Sequence, residues 1–441
     1  MSSIAASSLG TTTTTDWHEM VSDMTAPQPF LEVDSEEFLD HPAECLAAIR
    51  RKAAVCPTDR GWLLVTSEEL VRKVLTDPAT FSSRVHKHSP PPAEIADEVA
   101  AIRAQGWPYT SALGTSDAPS HTRHRALVNK SFTPRGLATM EPAVRAAAEE
   151  LAASLPGGEE IDLLARFAEP LPVWAISTIM GLAHEKREQV RRWSTAAVSS
   201  IGAVPSPEQF VSYERDLLDF QLTIASMLEE SRDGEGTGLI ADLSTNLRAE
   251  GEHSDGMEMS LLLTLLRELI VAGNETTGKF ISEALRLFGS DPENWRKVRE
   301  DPSYAEVLVE ESLRLASPTQ SVMRVATTDT ELAGTPVPAG TQLMVSLASA
   351  NRDEHGFDHP DDFDAGRDNV RQHLTFGQGP HMCIGAGLAR MESRIAIQTL
   401  AQHVERIDIV DRPQATLRSY VLRGPLEMWG TITRLPQADN L

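Results

Sequence analysis

The chain's 441 residues, 41% of them hydrophobic and 24% charged, have the make-up of an ordinary globular protein, long enough for one large core or two domains. A formal charge of −24 argues against nucleic acid or an anionic membrane surface as a partner, save through a local basic patch. Three widely spaced cysteines, an odd number, do not make a disulfide framework and fit a reducing compartment.

Residues 1–28 are rich in Ser, Thr and Ala, with no charged stretch leading into an apolar core. A disordered tail is expected there, not a signal peptide or anchor. Glu36–Lys52 and Ser67–Asp77 read as amphipathic helices on either side of a strand-like Gly61–Thr66. A Pro-rich polar passage with a brief helical interlude covers Ser82–Asp117. Helical periodicity returns at His121–Phe132, Glu141–Leu155, Leu163–Leu182, Glu185–Ser199, Pro207–Ser231, Ser254–Phe288 and Asp301–Leu315. Short strands follow at Arg324–Thr330, Val337–Pro338 and Gln342–Leu347. A loop rich in Asp, His and Pro spans Asn351–Arg371, Leu388–His403 is the last long helix, and strand patterns close the chain around Leu417–Leu435. The apolar stretch Leu261–Ala272 is too short to cross a bilayer and is broken by Arg267 and Glu268. The pattern predicts a mainly α fold with a minor β portion, one large domain over residues 29–441.

The most informative stretch is Phe376-Gly377-Gln378-Gly379-Pro380-His381-Met382-Cys383-Ile384-Gly385, running straight into a helix-like Ala386–Arg390. A cysteine at the head of a helix sits beside free N–H groups and positive dipole, which favours thiolate. Flanking glycines let a large planar group approach the backbone. Haem is the cofactor that uses a single axial thiolate. Cys45 and Cys56 lack such surroundings and read as small buried hydrophobes.

Phe376–Arg390 resembles the haem-binding loop of the cytochrome P-450 monooxygenases in their soluble bacterial form, Phe-Gly-x-Gly-x-His-x-Cys-x-Gly-x-x-Leu-Ala-Arg, with every fixed position filled. The resemblance implies the family's single-domain fold, haem b (iron protoporphyrin IX) with Cys383 as axial ligand, and O2 as co-substrate. Ala272-Gly273-Asn274-Glu275-Thr276 resembles the family's oxygen-activation motif, which would give Thr276 a role in handling dioxygen and Glu275 one in relaying protons. On residues alone, an acid beside a hydroxyl in an apolar helix is costly to bury, and Gly273 loosens the helix enough to admit a ligand or water. Glu311 and Arg314 share a helix face and resemble the family's Glu-x-x-Arg pair, with Arg367 as a third member and Arg352 the alternative. His121 and Arg125, four apart on one helix, with Arg324 at the start of a strand and His381, match positions whose cations would hold the haem propionates.

Substrate would sit among Ser82–Ser116, Ser199–Phe210, the helix before Glu275 and Thr319–Met323. Glu268, Val271 and Ala272 share a face with Glu275, so Val271 and Ala272 would border the pocket. Glu268 would either anchor a polar substrate group or bridge to a neighbouring helix. The long irregular stretch suits a medium or large lipophilic substrate, hydroxylated or epoxidised, as in secondary metabolism. No flavin or iron–sulfur module is legible, so electrons would come from a ferredoxin and its NAD(P)H-dependent reductase, docking near a basic patch of Arg123, Lys130, Arg135 and Arg390. A cytoplasmic enzyme is the expectation. A haem sensor would need the thiolate but not the acid–hydroxyl pair, and a peroxide-driven enzyme would not need that relay either.

Overall fold

The 33-residue helix Gly256–Phe288 is the axis on which the larger core assembles. Its apolar residues occupy several faces, the mark of a helix enclosed by others. Leu262, Leu263, Leu265, Leu266, Leu269 and Ile270 are all buried in one cluster with Phe167, Trp193, Trp295 and Ile395. Helices Pro170–Met180, Arg187–Val198 and Tyr304–Ala316 pack directly on it, and Ala386–Leu400 touches it as well. Each large apolar side chain fully buried along that axis contributes roughly 1.5–3 kcal/mol.

The computed structural model describes residues 29–85, 90–199, 205–231, 236–249 and 256–436. The expected tail over 1–28 lies outside them, as do parts of the Ser82–Ser116 and Ser199–Phe210 segments. The β portion stands beside the helices. A five-stranded sheet runs in the order Val55–Pro57, Leu63–Val65, Gln342–Ser346, Ser321–Ala326, Phe81–Ser82, with only the second and third strands parallel. Three further strands, Glu160–Asp162, Trp429–Arg434 and Val404–Ile409, make a second sheet, and two small hairpins complete the β content. Mainly α with minor β is what the sequence predicts.

Boundaries differ where local chemistry overrides periodicity. The expected helix Glu36–Lys52 is two helices, Glu36–Asp40 and Pro42–Arg50, because Pro42 removes a backbone donor and forces His41 out of the helical region (φ −123°, ψ 53°). Helix Pro134–Ser154 starts seven residues ahead of the expected Glu141, capped by the Thr133 hydroxyl accepting from Gly136 N–H, and carries Pro142 inside it. The strand expected from Arg324 begins at Ser321, which places Arg324 in mid-strand opposite Leu343. Gly238–Ala249 and Pro292–Glu300 are helices that the sequence reading left out. The second buries only Asn294, Trp295 and Val298, too narrow a stripe to register as periodic.

Candidate active site

The Cys383 loop is closed by its own backbone. Gly377 N–H donates to Leu374 O (2.7 Å) and Cys383 N–H to Phe376 O (2.8 Å). Gly377 has φ +67°, and a Cβ there would meet open space. Gly379 has φ +75°, and a Cβ there would fall 2.6 Å from Leu75 O, so the loop can lie against helix Glu68–Thr76 only with glycine at that point.

The sulfur stands at the N-terminus of helix Ala386–Leu400. The expectation of a ready-made thiolate is corrected here. Burial pushes the Cys383 thiol above its ordinary value; the Gly385 and Ala386 amides and the charges of Arg125 and Arg390 pull the other way and recover only part. A metal's charge would be needed to complete the deprotonation. Cys56 fits the bland reading, since burial drives it up to about 12 with nothing opposing.

Beside the loop, four basic side chains converge. The rings of His121 and His381 stack with centroids 4.0 Å apart. Arg125 donates to Pro380 O at 3.3 Å. Arg324 is only 6% exposed, and its hydrogen bond goes to the carbonyl of Met323. Burial lowers Arg324 to about 10, with Asp117 alone opposing. His381 falls to about 4, first through burial and then through His121, Arg324 and Arg125. Asp117, meanwhile, is taken up by the Ser82 hydroxyl (2.6 Å) and the Ser83 amide (2.9 Å). The cluster is short of negative charge, and so is suited to hold a dianion.

Along the long helix, Ala272 is exposed between half-buried Val271 and Gly273, which leaves a space beside Thr276. The Thr276 hydroxyl donates to Ala272 O at 2.7 Å. Glu275 is not free; its carboxylate lies 2.9 Å from Lys279 Nζ. The helix runs unbroken through Gly273, where a Cβ would press on Ile176 Cδ1 at 3.2 Å, so the glycine has a packing role. Val271 is half-buried against Ala196, Ala197 and Leu217. Glu268 accepts from the Gly114 amide at 3.1 Å, a partner other than the neighbouring-helix cation expected. One turn earlier the Thr110 amide donates to the Thr264 hydroxyl at 3.3 Å, so both side chains tie the same loop to the helix.

Behind the cysteine loop, Glu311 and Arg314 form a two-pronged pair (2.7 and 2.8 Å) with both side chains 0% exposed. Arg367 Nε joins at 3.3 Å, whereas Arg352 turns away to Asp361. The residue before it, Glu310, escaped the sequence reading. Its carboxylate takes Arg390 Nε (2.6 Å) and His373 Nε2 (3.1 Å), while the Thr375 amide donates to His373 Nδ1. Two consecutive acids in a helix whose neighbours Leu308, Val309 and Leu313 are buried are the signal that could have exposed it. Of the four residues expected in a basic patch, Arg390 is bound to Glu310 and Lys130 lies 3.2 Å from Asp242; Arg123 and Arg135 are exposed.

Comparisons with known proteins identify the family. The Cytochrome P450 family model matches residues 223–419. Over 381 residues the chain is 36% identical to YjiB of Bacillus subtilis (strain 168), named as a cytochrome P450, which covers 84% of this chain and 89% of that protein. Over 377 residues it is 32% identical to the erythromycin C-12 hydroxylase of Saccharopolyspora erythraea, across 85% and 90% of the two chains. The solved structure of a cytochrome P450 from Chondromyces apiculatus superposes with a TM-score of 0.76 at 31% identity, across 92% of this chain and 99% of that one.

Proposed function

The chain belongs to the cytochrome P450 family, whose members are monooxygenases, and from that premise we propose a haem b enzyme that hydroxylates or epoxidises a medium or large lipophilic substrate. The observation that carries the proposal is the pairing of Cys383, half-buried at a helix head, with a cation cluster that lacks counter-charge. Cys383 would hold the iron of a porphyrin as thiolate, and His121, Arg125, Arg324 and His381 would hold its two carboxylates. The open spaces over Gly377 and beside Ala272 suit a flat group.

When bound, haem held by the Cys383 thiolate would supply the oxygen-activating chemistry. The side chains do the rest. Thr276 Oγ1 donates its hydrogen bond to Ala272 O, leaving its own lone pairs to accept one from the pocket. Glu275, next in sequence to that hydroxyl and ion-paired with Lys279, would relay protons toward it. The loop tied down by Thr264 and Glu268 closes the substrate side and keeps water out. Ala272 and Val271 would border the substrate, and Glu268 would act on it through the loop. A lipophilic substrate is supported by the kinship with a macrolide-named hydroxylase.

Electrons would come from a ferredoxin served by an NAD(P)H-dependent reductase, with Arg123 and Arg135 as the contact charges. Three free cysteines support a cytoplasmic setting, and no helix among the described residues is long and apolar enough to cross a membrane. The test is the carbon monoxide difference spectrum of the reduced protein. A strongly red-shifted Soret band is expected, lost in Cys383→Ala; its absence from the unaltered protein would overturn the reading. Thr276→Ala should then keep consuming NAD(P)H while releasing more peroxide and less product, an outcome that neither a sensor nor a peroxide-driven enzyme would give.

A further inference from the structure

Lys279 lies one turn beyond Glu275 on the same helix and is 5% exposed. A lysine buried to that degree is uncommon and costly unless paired. Its ammonium sits 2.9 Å from Glu275 Oε2, with the two side chains 7% and 12% exposed. Room for it comes from a distant part of the chain. A Cβ on Gly424, which has φ +158°, would fall 2.5 Å from Lys279 Cβ and 2.9 Å from its Cδ and Cγ. The short strand Gly424–Pro425 therefore lies directly on the lysine stem, and only glycine permits it.

The neighbours sharpen the point. Glu169 starts the next helix over; its Cα would lie 3.3 Å from a Cβ on Gly278, so it packs on the long helix beside Lys279. Burial raises its carboxyl, Arg191 lowers it, and Glu275 and Lys279 act on it in opposite senses. Arg191 stands 3.9 Å from Glu169. Arg191 spends its hydrogen bonds on Glu188 (2.7 and 3.1 Å) and only approaches Glu169, so Lys279 is the cation that Glu275 takes.

We propose that Lys279 is the positioning residue for Glu275. It fixes the direction of that carboxylate, and the glycine gap at Gly424 exists to let the ammonium reach it. The inference rests on the assignment of Glu275 to proton handling.

The test uses the haem-loaded protein with Lys279→Met, Lys279→Arg, Glu275→Gln and the Lys279→Met/Glu275→Gln double variant. Lys279→Met should lower product formed per NAD(P)H by about tenfold, less than the roughly 10²–10⁴-fold that a proton-transferring side chain itself contributes. Peroxide should appear in place of product, substrate affinity by spin shift should hold, and Lys279→Arg should recover most of the coupling. In thermal melts, which do not depend on turnover, Lys279→Met should lower the midpoint, and adding Glu275→Gln should lower it no further. Unaltered coupling in Lys279→Met, or additive melting losses, would overturn the proposal. Should Lys279→Met fail to hold haem, Gly424→Ala serves instead, since it displaces the lysine stem while leaving both charges in place. It should give the same shift toward peroxide, and normal coupling there would sink the idea. A protein without the red-shifted carbon monoxide band fails the parent reading; one with the band but with unmoved coupling fails only this inference.

Discussion

Glu310 offers the most quantitative test of how the cysteine loop is held. Burial alone would raise its carboxyl, yet hydrogen bonds from His373 and Arg390 hold it down at about 2, from an ordinary 4.5. His373 is itself lowered by burial against the pull of Glu310, so the neutral ring serves as donor through Nε2 while Nδ1 accepts from Thr375. The sign follows from the direction of the shift. A carboxyl depressed in the folded state contributes stability that is present above its unfolded value and lost as pH falls toward its folded one. The whole shift corresponds to about 3 kcal/mol, of which about 1.4 kcal/mol is gone by about pH 3.5. Glu310→Gln keeps an oxygen that can accept from both partners but removes the titration. Urea unfolding of wild type and Glu310→Gln, followed by tryptophan fluorescence, should therefore show a stability gap that narrows by about 1.4 kcal/mol between neutral pH and about pH 3.5. A gap of constant size would mean that the pair does not hold Glu310 charged, and the account of the loop's support would fail.

Other substitutions separate stability from function. Arg324→Leu should raise the melting temperature of haem-free protein, because lowering a buried guanidinium to about 10 costs the fold about 3 kcal/mol at neutral pH; the same change should speed haem loss to an apomyoglobin acceptor. Glu311→Gln strands two arginines against a neutral partner and should cost about 3–5 kcal/mol in urea unfolding, with a loss under about 1 kcal/mol counting against the buried-pair reading. Glu392, wholly buried, has no hydrogen-bond partner among the described residues and is raised well above the ordinary range, so it takes stability away as pH rises past about 4.5. Glu392→Gln should therefore be more stable than wild type at pH near 8 and lose that advantage near pH 4 in paired melts. Glu268→Gln should leave spin-shift substrate affinity unchanged, since an amide oxygen can still accept from Gly114, whereas Glu268→Ala should weaken it and expose residues 104–116 to protease. Equal losses in both would mean that the charge itself meets the substrate.

What the sequence by itself determined lies within short spans. The Phe376–Arg390 loop, the Ala272–Thr276 turn and the Glu311–Arg314 pair are each legible because their geometry is set by glycine conformations or by three- and four-residue helical spacing. Arg367 could be picked out as a third partner, but only packing distinguished it from Arg352. The tertiary structure decided everything that depends on what stands opposite. Arg390 reads as a surface charge until Glu310, 80 residues away, is brought against it. Glu268 looks directed at a ligand or a cation until Gly114, 154 residues earlier, supplies an amide. Lys279 reads as an ordinary helix lysine until Gly424 closes over it and leaves Glu275 as its counter-charge. The Cys383 thiol followed the same rule, for the helix-end effect visible in the sequence is outweighed by a burial that only the fold imposes. Periodicity tells which face of an element is apolar; the partner of a buried charge is set by which elements pack together, and that information is spread over the whole chain.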